Sequence, residues 1–132
     1  MDRRCFKIDN TKRIYANSVE YCKSQGANIA SIHSDKENNA AIRLLQVTAY
    51  IGAESDGKGN WTWNDGSKWW QPDDSKHDGI VGKTETKIAL NTADKKWHDW
   101  TTGSSKIGVL CAMPLAKPKP PGKILMNGGT RN

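Results

Sequence analysis

From Gln71 to Thr86 the chain runs without helical or alternating periodicity, between segments that read as short strands. An aperiodic segment of that length inside a compact domain is a functional loop or a disordered one. The strands around it limit the fold. Upstream, Trp61-Thr62-Trp63 reads as a strand between turns at 56–59 and 64–67, where Gly, Asn and Asp supply turn conformations. Downstream, Lys87-Ile88-Ala89-Leu90 and Lys95-Lys96-Trp97 are expected to pair as a hairpin across 91–94, and Ile107-Gly108-Val109-Leu110-Cys111 to close the sheet. Helical signals lie only in the first third. Asn17-Ser18 can cap a helix carrying Val19, Tyr21 and Cys22, which Gly26 ends. Ser34-Asp35-Lys36-Glu37 is a capping box, followed by Ala41, Ile42, Leu44 and Leu45 at helical spacing, so a second helix is expected from about 35 to 46. With an opening strand at Cys5-Phe6-Lys7-Ile8 and another at Ala49-Tyr50-Ile51-Gly52-Ala53, the plan is α+β: two helices packed on short antiparallel sheets with a long loop region.

The loop and its borders hold an oxygen-rich donor set. Gln71-Pro72-Asp73 opens it, Glu85 stands just before an apolar strand, and Trp97-His98-Asp99 follows in a separate segment. Carboxylates and an amide from irregular backbone suit calcium, a hard cation of loose geometry. Trp63, Trp69, Trp70, Trp97 and Trp100 surround this region. A surface cation beside indoles and carboxylates suits the vicinal hydroxyls of a sugar. Trp69, Trp70 and Trp100 are the candidate stacking platforms for sugar C–H faces. His33, before a helix cap, reads as structural, and His77 as a solvated loop residue. No nucleophile–base pair is visible and the carboxylates lack a glycosidase pattern, so no enzyme activity is expected.

A chain of 132 residues is one domain, and 36% hydrophobic content with six Trp fits a core built on a few large aromatics. No apolar run approaches the ~20 residues that cross a bilayer. Met1-Asp2-Arg3-Arg4-Cys5 lacks the apolar core of a signal peptide, as expected of a mature secreted chain or of a cytosolic one. The net charge of +6 is spread along the chain, with no recognition helix or zinc-finger pattern, so nucleic acid is not an expected partner. Three cysteines allow three pairings of one disulfide. A bridge from Cys22 in the first helix to Cys111 in the last strand would stabilise by about 4–5 kcal/mol on chain-entropy grounds, leaving Cys5 over. Beyond Cys111 the composition shifts. Pro114, Pro118, Pro120 and Pro121 among lysines mark residues 112–132 as an extended tail to a domain spanning 1–111.

Taken in order, these pieces resemble the C-type lectin-like domain from Cys5 to Cys111. The resemblance is carried by Tyr21-Cys22-Lys23, Gly26-Ala27-Asn28-Ile29-Ala30-Ser31-Ile32-His33-Ser34, Tyr50-Ile51-Gly52-Ala53, and Gly59-Asn60-Trp61-Thr62-Trp63-Asn64-Asp65-Gly66-Ser67. Gln71-Pro72-Asp73, Glu85 with the strand after it, Trp97-His98-Asp99 and Gly108-Val109-Leu110-Cys111 complete it. It implies a secreted, calcium-dependent lectin in which Gln71, Asp73, Glu85, His98 and Asp99 hold the ion and complete a sugar site with Trp70, His77 and Trp100. It also implies a disulfide between Cys22 and Cys111, and core positions for Trp61, Trp63 and Trp97. Gln-Pro-Asp goes with galactose-type sugars in that family, N-acetylgalactosamine included, because amide and carboxylate set which side of the ion donates. An agglutinating, innate-defence lectin needs several sites, so a dimer or higher oligomer is expected, either bridged through Cys5 or non-covalent.

Three departures bear on that expectation. The family's second disulfide would join positions 87 and 102, which here are Lys87 and Thr102. His98 stands where the triplet usually has Asn, and imidazole nitrogen suits zinc better than calcium. Ser75 lies near the place of the family's stacking Trp. These departures set an alternative expectation: a calcium-independent module of the same fold, binding protein, anionic glycan or a mineral surface.

Overall fold

The computed structural model describes residues 4–101 and 104–114. In chain order its elements are β1 (Arg4–Arg13), α1 (Tyr15–Ser24), β2 (Asn28–Ile29), α2 (Asp35–Leu44), β3 (Ala49–Ser55), β4 (Trp61–Trp63), a 3-10 turn at Asp74–Lys76, β5 (His77–Asp78), β6 (Lys87–Leu90), β7 (Trp97–Trp100) and β8 (Ile107–Pro114). The expected two helices and strand-rich remainder are present. Position 102 and residues 115–132, most of the expected tail, lie outside the described residues.

Burial, rather than capping, decides where α1 begins. Asn17 and Ser18, expected at the cap, lie inside the helix; Ile14 holds the N-cap position and offers no side-chain hydrogen bond. Tyr15 instead packs edge-on against buried Tyr50 at 5.4 Å, which fixes the first turn. The helix ends as expected. Gly26 takes φ +74° and the Ala27 amide donates to the Cys22 carbonyl at 2.9 Å, satisfying an orphan acceptor. For α2 the Glu37 amide donates to Ser34 Oγ at 3.1 Å, while the Glu37 carboxylate reaches the His33 amide, one residue before the expected capping-box partner. This helix stops at Leu44, short of 46, because Leu45 turns extended and buries itself in the core.

β8 organises the sheet. One edge pairs antiparallel with β1, from Arg4↔Pro114 to Arg13↔Ile107. The other edge takes β2 and then β3, the latter in parallel. Outward from β3 follow β6 and β7, both antiparallel, then β5 parallel to β7, with β4 folded back on β3. The sheet is therefore mixed, not purely antiparallel. Parallel neighbours need a long crossover, and β3 reaches β8 only through the whole segment that contains the loop. β8 also runs through Ala112 to Pro114, past the expected boundary at 111. The 91–96 turn is longer than expected because Lys95 sits at φ +61° and delays the return strand to Trp97.

Two buried clusters lie on the two faces. One gathers Ile32, Ile51, Ile88, Leu90, Leu110, Trp63 and Trp97 with α2. The other gathers Tyr15, Ile29, Tyr50, Val109 and the Cys22–Cys111 disulfide, which ties α1 to β8. Covered on both faces, β3 buries Ala49 through Ala53 without alternation. Cys5 is the free, exposed cysteine. Lys87, at the position of the missing half-cystine, places its ammonium 4.9 Å over the Tyr15 ring.

Candidate functional site

The Trp97-His98-Asp99 triplet is anchored by its first member. Trp97 is fully buried and its Nε1 donates to Asn38 Oδ1 of α2 at 2.8 Å. Trp63 and Trp69 lie 4.6 Å apart, and Trp63, Trp69 and Trp70 meet the Trp97 ring edge-on. Trp61, expected in the core, is only half-buried and stacks on Trp69. Trp69 and Trp70, expected as exposed platforms, are half-buried against this indole group, whose large apolar area draws them inward. Trp100 is likewise half-buried; it packs on the other cluster and donates from Nε1 to Ser105 Oγ at 2.8 Å. Alternation along β7 places it on the face opposite Asp99.

The Gln71-Pro72-Asp73 segment is pinned at its centre: Pro72 is buried while Gln71 and Asp73 are exposed. Trp69 Nε1 donates to Gln71 Oε1 at 3.0 Å. Asp73 Oδ1 accepts from the Ser75 amide at 3.0 Å and from the Ser75 hydroxyl, which starts the 3-10 turn. The Ser75 hydroxyl, with its amide, holds the Asp73 carboxyl below its ordinary range, so it remains charged in mild acid. Asp99 Oδ2 accepts from the Val81 amide at 3.3 Å. The half-buried Glu85 carboxylate has no hydrogen bond among the described residues.

The loop backbone beside Asp99 is closely fitted. The Ile80 carbonyl accepts from Trp61 Nε1 at 3.2 Å, and the Gly82 carbonyl accepts from Ser55 Oγ. Gly82 has φ +71°, and a Cβ there would come within 2.8 Å of Ser55 Oγ and Trp61. Only glycine fits that approach.

The two loop-region histidines stand apart from the oxygen donors. His77, expected as solvated and as a sugar contact, has a side chain only 9% exposed, and its backbone pairs with Trp97 through β5. Neither ring nitrogen has a hydrogen bond among the described residues, although Nε2 lies 3.3 Å from Asp74 Oδ1. His98 turns Nε2 to Asp94 Oδ2 at 2.7 Å and Nδ1 to Asp78 Oδ2 at 3.2 Å. Burial would raise the Asp94 carboxyl, and hydrogen bonds from His98 and the Lys96 amide outweigh it and lower it. Sequence reasoning missed Asp78 and Asp94. Their carboxylate type was visible, but not a spacing that pointed to His98.

The donor set fits calcium by chemistry. Gln71, Asp73, Glu85 and Asp99 are hard oxygen donors, and each carboxylate keeps at least one oxygen free of hydrogen bonds among the described residues. They are not drawn together: no three His, Cys, Asp or Glu side chains among the described residues lie close enough to form a metal centre. His98 does not fit, since both its nitrogens already face carboxylates.

Comparison with known proteins agrees with this architecture. The family model for the lectin C-type domain matches residues 11–113. The chain is 30% identical to ladderlectin of Oncorhynchus mykiss over 114 residues, covering 77% of this chain and 58% of that protein. It is 33% identical to the galactose-specific lectin nattectin of Thalassophryne nattereri over 73 residues, covering 50% and 46%. The chain thus spans about half the length of these curated relatives. A crystal structure of a calcium-independent type II antifreeze protein superposes with a TM-score of 0.73 at 22% identity, covering 86% of this chain and 88% of that one. On the residues matched and the fold they form, the chain belongs to the C-type lectin domain family.

Proposed function

We propose that this domain binds galactose-type saccharides, N-acetylgalactosamine included, at the loop end of the sheet, with Gln71, Asp73, Glu85 and Asp99 as the residues that hold calcium. The observation that carries the reading is the burial of Pro72 between two exposed donors: the loop is anchored at one residue and displays an amide and a carboxylate on either side. When bound, the ion offers open coordination positions to two adjacent sugar hydroxyls. Gln71 and Asp73 orient those hydroxyls, an amide able to donate and a carboxylate able only to accept. The likeness to nattectin, a galactose-specific lectin, supports the choice of sugar. A single shallow site binds weakly, so linked copies are required for agglutination in an extracellular defence role, and the exposed thiol of Cys5 is available to join two chains. No helix among the described residues is long and apolar enough to cross a membrane.

Calorimetry with galactose and N-acetylgalactosamine tests the proposal. Heat in calcium that vanishes with chelator supports it; no heat in either condition ends it. A second reading, calcium-independent binding of protein, anionic glycan or a mineral surface, is favoured by the separation of the donors and by the Trp69 bond that occupies Gln71 Oε1. With a net charge of +6, such binding would survive chelator and fall steeply with added salt.

A further inference from the structure

Between Gly66 and Thr86 the backbone forms only one 3-10 turn and the two-residue β5, so ladder hydrogen bonds alone cannot fix it. Side chains hold it instead. Ser55 and Trp61 bond the Gly82 and Ile80 carbonyls, Asp99 takes the Val81 amide, and Lys76 Nζ lies 3.4 Å from Asp35 Oδ1. At β5 itself the contact is His98. Alternation along β7 sets His98 on the face away from Asp99, and the parallel pairing sets Asp78 beside it. The ring is 21% exposed; it meets Asp94 at 2.7 Å and Asp78 at 3.2 Å, so one imidazole spans the 91–96 turn, β7 and β5.

We propose that His98 is a positioning residue: it clamps β5 through Asp78 and the 91–96 turn through Asp94, and thereby holds the 71–86 loop in place before any cation or sugar arrives. The proposal rests on the preceding reading only in naming that segment the binding loop. Exposed ion pairs contribute little one at a time. Here the ring itself is largely enclosed although Asp78 and Asp94 are exposed, and it hydrogen-bonds Asp94 while facing Asp78 of a separate element at 3.2 Å. It stands on β7 beside a loop whose expected disulfide brace is absent at position 87, where Lys87 instead lies over Tyr15. A loop held in advance loses less conformational freedom on binding, which is how a positioning residue raises affinity without touching the ligand.

Limited trypsin digestion of the metal-free protein, with cleavage after Lys76 and Lys83 followed by mass spectrometry, reads the opening of this loop directly. His98→Ala is expected to speed that cleavage by about tenfold, and Asp78→Ala by a similar factor. The double variant is expected to be cleaved no faster than His98→Ala alone, because both changes remove one contact. His98→Arg can donate to both carboxylates and is expected to stay within about twofold of the parent. The clamp is overturned by an unchanged rate in His98→Ala or Asp78→Ala, by additive rates in the double variant, or by equal acceleration after Lys58, which lies outside the loop. No sugar or cation is present, so failure here leaves the saccharide reading standing, and a silent calorimeter leaves the clamp standing.

Discussion

At one end of the molecule β1 and β8 share a ladder from Arg4↔Pro114 to Arg13↔Ile107, and a disulfide fastens α1 to the same strand. At the other end, from Asn64 to Thr86, stacked indoles and side chain-to-backbone hydrogen bonds do the same task with little ladder. The first arrangement fixes backbone regardless of which polar side chains lie outside it. The second depends on individual residues, so a substitution there moves the donors that a ligand would meet. The closed end therefore sets whether the domain folds, and the loop end sets what it displays.

Removing the disulfide tests the closed end and carries the largest expected effect. The paired change Cys22→Ala with Cys111→Ala is expected to cost about 4 kcal/mol in urea unfolding, since the bridge closes most of the chain. A loss below about 1 kcal/mol would show that the ladder and not the bridge holds this end. At the loop end two glycines form a matched pair. Gly66 has φ +79° with open space at its Cβ, whereas Gly82 has φ +71° and would meet Ser55 and Trp61. Gly66→Ala is expected to cost about 1 kcal/mol and Gly82→Ala about 3 kcal/mol, the difference being steric. Equal costs in denaturant titrations would mean that the loop gives way, contrary to the fitted backbone described above.

Between the two ends stands Asn38, whose Oδ1 accepts the buried Trp97 indole proton. Asn38→Leu is expected to cost about 2 kcal/mol, because it leaves that donor buried without a partner. Near-ultraviolet circular dichroism during unfolding checks whether the Trp97 environment is lost with global structure or before it.

What could be read from the sequence follows the same division. The Ser34 cap and the Gly26 stop are local signals, and each is found where patterning put it. The ladder strands are found too, with β1 and β8 running past their expected ends and β7 starting later, and Cys22 pairs with Cys111. The start of α1 was not legible, because the contact of Tyr15 with Tyr50 crosses the whole first third of the chain. β5 was not legible either: two residues carry no periodicity, and only pairing with β7 makes them a strand. Motif register identified Gln71, Asp73, Glu85 and Asp99 as a donor set, yet spacing along a chain does not say how far apart their oxygens lie. Trp70 and Trp100 were ambiguous for another reason. An indole has an apolar body and one donor, so composition cannot tell a platform from a half-buried wall.

The smallest expected effect concerns the joint between the capped helix and the turn after β4. Asp65 Oδ2 accepts from Ser31 Oγ, and its Oδ1 accepts from the Ser67 amide at 2.9 Å and from the Ser67 hydroxyl. Burial alone would raise the Asp65 carboxyl; these hydrogen bonds, aided by nearby His33, outweigh it and bring it below its ordinary 3.8. A carboxyl lowered by folding binds its proton less readily in the native state than in the unfolded chain. Its contribution is therefore complete above the ordinary value and fades as pH falls below it through the lowered one. Because the group is largely solvated, the contribution is expected to be about 0.5 kcal/mol. Urea unfolding of the parent and of Asp65→Asn should differ by about that amount near neutral pH and converge in strong acid. A difference that instead grew as the pH dropped would mean the carboxyl is raised by folding, and that the serines hold it as an acid rather than as a charge.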